Sequence, residues 1–108
     1  MAFRVVLQPR AERDIEEAFS YIYDQAPPAA FRWYARVRAQ IESLSEMPMR
    51  CAIAPEAELL QFELRQLTFG KRTGRYRIVF RLIEESNQVD VLAVRHGSRG
   101  PILAHEID

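Results

Sequence analysis

Apolar positions along this chain follow one period in its first half and another in its second. Residues 3–7, FRVVL, are β-branched and apolar, alternate weakly and run into Pro9, which predicts a short first strand. Over 11–25 the period changes: Ile15, Ala18, Phe19 and Ile22 fall at i, i+3, i+4 and i+7, one stripe of a helix. Glu12, Asp14, Glu16 and Glu17 crowd its first turns, where the helix dipole favours negative charge. Pro27 and Pro28 end that helix, and Pro28 suits the first turn of the next. A second helix is predicted over 29–46, with Ala30, Tyr34, Val37, Ile41 and Leu44 as its packed seam. Trp33 sits beside that seam as a packing anchor. So short a connection makes the two helices an antiparallel hairpin. Residues 47–58, MPMRCAIAPEAE, contain Pro48 and Pro55, have no period and read as a loop.

Strands follow. Residues 62–69, FELRQLTF, alternate imperfectly, because the apolar phase slips between Leu64 and Leu67; a bulge is the expected cause. GKRTG, bracketed by Gly70 and Gly74, is a hairpin loop. In RYRIVFRLIEE, residues Tyr76, Ile78, Phe80 and Leu82 point one way, and Arg75, Arg77, Val79, Arg81 and Ile83 point the other. Residues 89–97, VDVLAVRHG, form the last strand. The expected fold is α+β, in the order β-α-α-β-β-β: a helical hairpin on one face of a small, mostly antiparallel four-stranded sheet.

Length allows a single domain over 1–108, and a content 48% hydrophobic and 28% charged is that of a globular protein. No apolar run is long enough to span a bilayer or to act as a signal peptide, so a cytoplasmic location is expected. Cys51 is the only cysteine, which excludes an internal disulfide and a multi-cysteine metal site. His96 and His105 are too few and too far apart to suggest a metal site, and no cofactor motif is present.

Charge alters this picture once it is divided along the chain. The formal net charge is zero, yet residues 64–83 hold Arg65, Lys71, Arg72, Arg75, Arg77 and Arg81 and no acid. Strand parity puts Arg75, Arg77 and Arg81 on the sheet face away from the helices, expected to be open. Guanidinium groups so close together repel one another unless an anion lies among them. A solvated, aggregation-resistant strand face is the plainer alternative, though such faces usually mix signs. A surface for nucleic acid or an acidic protein segment is therefore expected. Further on, VRHGSRG places Arg95, His96 and Arg99 at the end of the last strand, around two glycines. That imidazole suits proton transfer near neutral pH, and a nearby guanidinium suits stabilisation of charge on a phosphorane-like transition state. A lone histidine after a strand is as often only a hydrogen-bonding residue.

With this element order, LRQLTFGKRTGRYRIVFRL and VDVLAVRHGSRGP together resemble the RelE/ParE superfamily of type II toxin–antitoxin toxins. The resemblance runs from QPRAERDIEEAFSYI to RHGSR, nearly the whole chain. It implies a plasmid-stabilisation type of growth inhibitor neutralised by a cognate antitoxin in a hetero-oligomer, with no cofactor and no membrane. Two targets follow from it: DNA gyrase, for ParE-like members, or mRNA on the ribosome, for RelE-like endonucleases. For a nuclease the resemblance implies Arg77, His96 and Arg99 as catalytic residues, with Arg65, Lys71, Arg72, Arg75 and Arg81 holding RNA or the antitoxin. Several nucleases add a tyrosine or histidine near the C-terminus; here no tyrosine follows Tyr76, and His105 stands alone. A degenerate relative that only binds antitoxin or nucleic acid is the third reading.

Overall fold

The structure, a computed structural model, describes residues 2–71 and 74–106, so Arg72 lies outside the described residues. β1 (Arg4–Leu7) leads into α1 (Pro9–Gln25) and α2 (Pro27–Glu42), with prolines at the first turn of each helix, where no hydrogen bond is lost. The second helix stops earlier than its seam predicts. It tightens into a 3₁₀ turn over Ser43–Ser45, where Ser43 Oγ donates to the Gln40 carbonyl at 2.6 Å. Ala30, Val37, Ile41 and Leu44 are buried as expected, but Tyr34 is 42% exposed.

The stretch read as a loop holds a 3₁₀ turn over Pro48–Arg50, β2 (Ala52–Ile53) and the start of the short helix α3 (Glu56–Leu60). β3 (Arg65–Phe69), β4 (Tyr76–Ile83) and β5 (Gln88–His96) complete a mixed sheet. It has five strands rather than four, in the order β1-β5-β4-β3-β2, and only the β1–β5 pair is parallel. At the β3–β4 turn Gly70 has φ of +94°, and a Cβ there would lie 2.2 Å from the Gly74 carbonyl oxygen, so glycine is required.

Both faces of the sheet are buried. Ile78, Phe80, Val89, Val91 and Val94 meet Ile15, Val37 and Ile41 of the hairpin. On the other face Leu64, Val79, Leu92 and Ala93 form a second cluster with Ala54 and Ile102. This corrects two expectations. The slip between Leu64 and Leu67 is no bulge: Leu64 faces the second cluster, while Leu67 and Phe69 face the first. The irregularity lies in β5 instead. Val79 pairs with Ala93 and Phe80 with Val91, leaving Leu92 as the extra residue. The sheet face beyond the helices is accordingly not open, because α3 and the C-terminal segment cover it.

Candidate functional site

That covered face holds two arginines that alternation brings together, Arg77 of β4 opposite Arg95 of β5. Each meets a carboxylate from the covering segments. Arg77 donates to Glu56 Oε1 and Oε2 at 3.0 and 2.6 Å and to Gln66 Oε1 at 2.9 Å. The Glu56 side chain is fully buried and also accepts from the Ile102 N–H at 3.0 Å. Burial pushes the Glu56 carboxyl up, but the Arg77 and Ile102 hydrogen bonds outweigh it and hold it at about 2. Glu106 is likewise held down at about 2 by the Leu103 N–H and by Arg95, with Arg10 beside it. Arg77 therefore has an internal partner and is nearly buried, at 13% side-chain exposure.

The rest of the cationic stretch separates by position. Arg65 donates to the Cys51 and Met49 carbonyls at 2.7 and 3.2 Å and pairs with Glu63, fastening the edge of the sheet. Arg81 lies over the Phe62 ring at 5.1 Å, a cation–π contact on the second cluster. Lys71, Arg75 and Arg99 are exposed. The register pairs Tyr76 with His96, and the Gly97 N–H donates to the Arg75 carbonyl at 2.8 Å, so the start of β4 and the RHGSR segment meet at one end of the sheet.

At that end lies a recess of about 450 Å³ whose lining includes Tyr76, His96, Ser98 and Arg99. The bulge at Leu92 sets this arrangement, because alternation after it turns Arg95 towards the second cluster and His96 towards the helices. Ser98 holds the ring in place: its N–H donates to His96 Nδ1 at 3.0 Å, and its Oγ lies 2.7 Å from the same nitrogen. Tyr76 meets the His96 ring edge-on at 5.0 Å and packs on Trp33 and Phe69; burial pushes its phenol up.

The opposite wall includes Asp14, Glu17, Ala18 and Tyr21 of α1; the sequence reading named the two acids only as first-turn residues favoured by the helix dipole and gave none of the four a site role. Their spacing of i, i+3, i+4 and i+7 was the available signal for a shared helix face. Burial pushes the Asp14 carboxyl up, against the Val94 N–H that donates to it at 3.0 Å. Of the expected catalytic trio, the structure brings His96 and Arg99 together and sends Arg77 through to the other face. Among the described residues no group of three His, Cys, Asp or Glu side chains could hold a metal ion. No helix of the described residues is long and apolar enough to cross a membrane.

The family described as the ParE toxin of the type II toxin–antitoxin system parDE matches residues 5–101. No curated protein matches the chain. Among solved structures, the chromosomal ParDE toxin–antitoxin system of P. aeruginosa superposes with a TM-score of 0.68 at 14% identity, covering 88% of this chain and 96% of that one. The RelBE2 toxin–antitoxin complex of Mycobacterium tuberculosis gives 0.58 at 24% identity, over 92% and 95% of the two chains. A free-state double mutant of the E. coli toxin RelE gives 0.61 at 16% identity, over 91% and 86%. These likenesses establish the fold, and the match over 5–101 establishes the family: the chain belongs to the ParE toxins of type II toxin–antitoxin systems, within the RelE/ParE superfamily.

Proposed function

We propose that this toxin inhibits growth by binding DNA gyrase rather than by cutting RNA, and that a cognate antitoxin neutralises it. The observation that carries this reading is the separation of Arg77 from His96 and Arg99 by the thickness of the sheet. A metal-free ribonuclease needs groups converging within hydrogen-bond reach of one phosphate. Arg77 is instead committed to Glu56. The recess also sets Asp14 and Glu17 opposite Arg99, and carboxylates repel an incoming RNA backbone. A site of mixed charge with two tyrosines suits a protein surface better than a phosphodiester.

In this reading Lys71, Arg75 and Arg99 are the exposed cations available to an acidic segment of the antitoxin or to the target. The ribonuclease reading keeps one supporting observation, the meeting of His96 and Arg99 in a single recess. Induction in cells separates the two. A gyrase poison is expected to accumulate cleaved DNA–gyrase complexes and an SOS response while translation continues. Arrest of translation within minutes, with mRNA cleaved on ribosomes and cleavage lost in His96→Ala, overturns the gyrase reading. Harmless expression favours the degenerate, binding-only alternative.

A further inference from the structure

We propose that the recess at the sheet end receives an arginine side chain of the protein this toxin binds. The inference rests on the reading above, that the recess docks protein rather than RNA, and names the group recognised there. Two carboxylates one turn apart on α1 supply the attraction. Asp14 is half-buried, and its Oδ2 accepts from the Val94 N–H at 3.0 Å. Its other oxygen has no donor among the described residues. Arg10 and Arg95, whose charges reach Asp14, both pair with Glu106 instead, at 3.2 and 3.0 Å. Glu17 stands exposed three residues on, and among the described residues neither carboxylate forms an ion pair. Burial pushes the Asp14 carboxyl up, against the Val94 N–H and the two arginines, and Glu17 adds to the rise. A cation entering this wall offsets a desolvation that the fold itself leaves uncompensated.

Aromatic rings select the kind of cation. Tyr21, 68% exposed, lines the recess from α1, and Tyr76 lines it from β4. A planar guanidinium stacks on such rings and offers a carboxylate two parallel donors, whereas an ammonium is a hydrated point charge. A metal ion is the poorer occupant, because no three His, Cys, Asp or Glu side chains converge among the described residues. The wall formed by β5 and the residues after it adds direction. Arg99 is exposed there beside Ser98 and lines the same recess. It opposes a lone cation and favours an acid next to the incoming arginine. The recess is therefore a dipole, and the fitting partner carries an arginine and an acid in the reverse sense.

Titration of the purified chain with N-acetyl-arginine amide, followed by amide NMR, tests the proposal. The Val94 amide, bonded to Asp14, is expected to shift saturably, while the uncharged citrulline analogue shifts nothing. Asp14→Asn with Glu17→Gln should weaken the arginine probe about fivefold or more, and the asparagine keeps an oxygen for the Val94 N–H. Glu17→Gln alone, at an exposed position, should weaken it about twofold and keeps the test valid should the double variant misfold. Arg99→Ala should tighten it about twofold by removing the opposing charge. A probe that leaves Val94 unmoved overturns the proposal. So does citrulline binding equally, neutral variants binding as well as the wild type, or inorganic phosphate as the ligand the recess prefers. Inhibition of gyrase supercoiling separates this inference from the reading beneath it. The double variant is expected to need about tenfold more toxin for equal inhibition. Undiminished potency overturns the inference and leaves the gyrase reading standing. A wild-type chain that never inhibits gyrase overturns that reading, and the arginine probe still decides what the recess takes.

Discussion

Arg77 and Glu56 depend on each other more than either helps the fold alone. Removing both charges from water is costly, and the bidentate contact with the Ile102 N–H behind it offsets that cost. Arg77→Ala strands a fully buried carboxylate and is expected to cost about 3–5 kcal/mol in urea unfolding. Replacing both charges, Arg77→Met with Glu56→Gln, keeps an oxygen for Ile102 and should recover more than half of that loss. If the double variant is no more stable than the single, the pair is not the unit described here. Acid tests the same carboxylates. Glu56 and Glu106 sit at about 2 in the folded chain against an ordinary 4.5, so their stabilisation is complete above pH 4.5 and is lost as pH falls towards 2. By pH 3 the loss should approach roughly 2 kcal/mol for Glu56, and less for Glu106, which lies nearer solvent. Glu56→Gln should flatten the slope of stability between pH 5 and pH 3, measured by urea midpoints at each pH.

At the scale of elements, helical period and strand alternation were readable wherever one face meets a core and the other meets water. Ile15, Val37, Ile41 and the Tyr76–Leu82 parity obey that rule, and the helices and β4 follow from it. The rule fails where a strand is buried on both sides, because Leu64 and Leu67 are then apolar for different cores. Nothing local in residues 47–58 announces β2 or α3: a two-residue strand and a five-residue helix exist through their partners, not through their own period. The recess was half legible. His96 and Arg99 stood out by chemical type, whereas Asp14 and Glu17 read only as acids favoured by the helix dipole, and Tyr21 carried no role, until β5 was laid against them. The bulge was invisible for the same reason, and it decides which side His96 takes. Gly70→Ala addresses the turn that positions β4: the strained φ and the 2.2 Å approach to Gly74 should cost more than about 1 kcal/mol in thermal or urea unfolding. A neutral or stabilising outcome would show that the turn relaxes freely.

The whole molecule is neutral in sum but not in distribution. Residues 64–100 carry eight bases and three acids, and among the described residues the fold separates neutralised bases from exposed ones. Arg65, Arg77 and Arg95 are engaged internally by carbonyls or carboxylates, while Lys71, Arg75 and Arg99 stand exposed. Counting cations along the sequence therefore overstates the electrostatic surface. Attraction for a polyanion scales with charges that shed counterions on contact, and a guanidinium already bonded to a carboxylate sheds few. Joint substitution of Lys71, Arg75 and Arg99 by alanine should lower the salt needed to elute the protein from heparin. Each exposed change should shift stability by no more than about 0.5 kcal/mol. Arg77→Ala should do the reverse, lowering stability sharply while moving the elution of the folded fraction little. Should the triple variant elute unchanged and Arg77→Ala elute early, the anion-binding surface would be the covered face of the sheet. The C-terminal segment would then have to move aside before any acidic partner could dock.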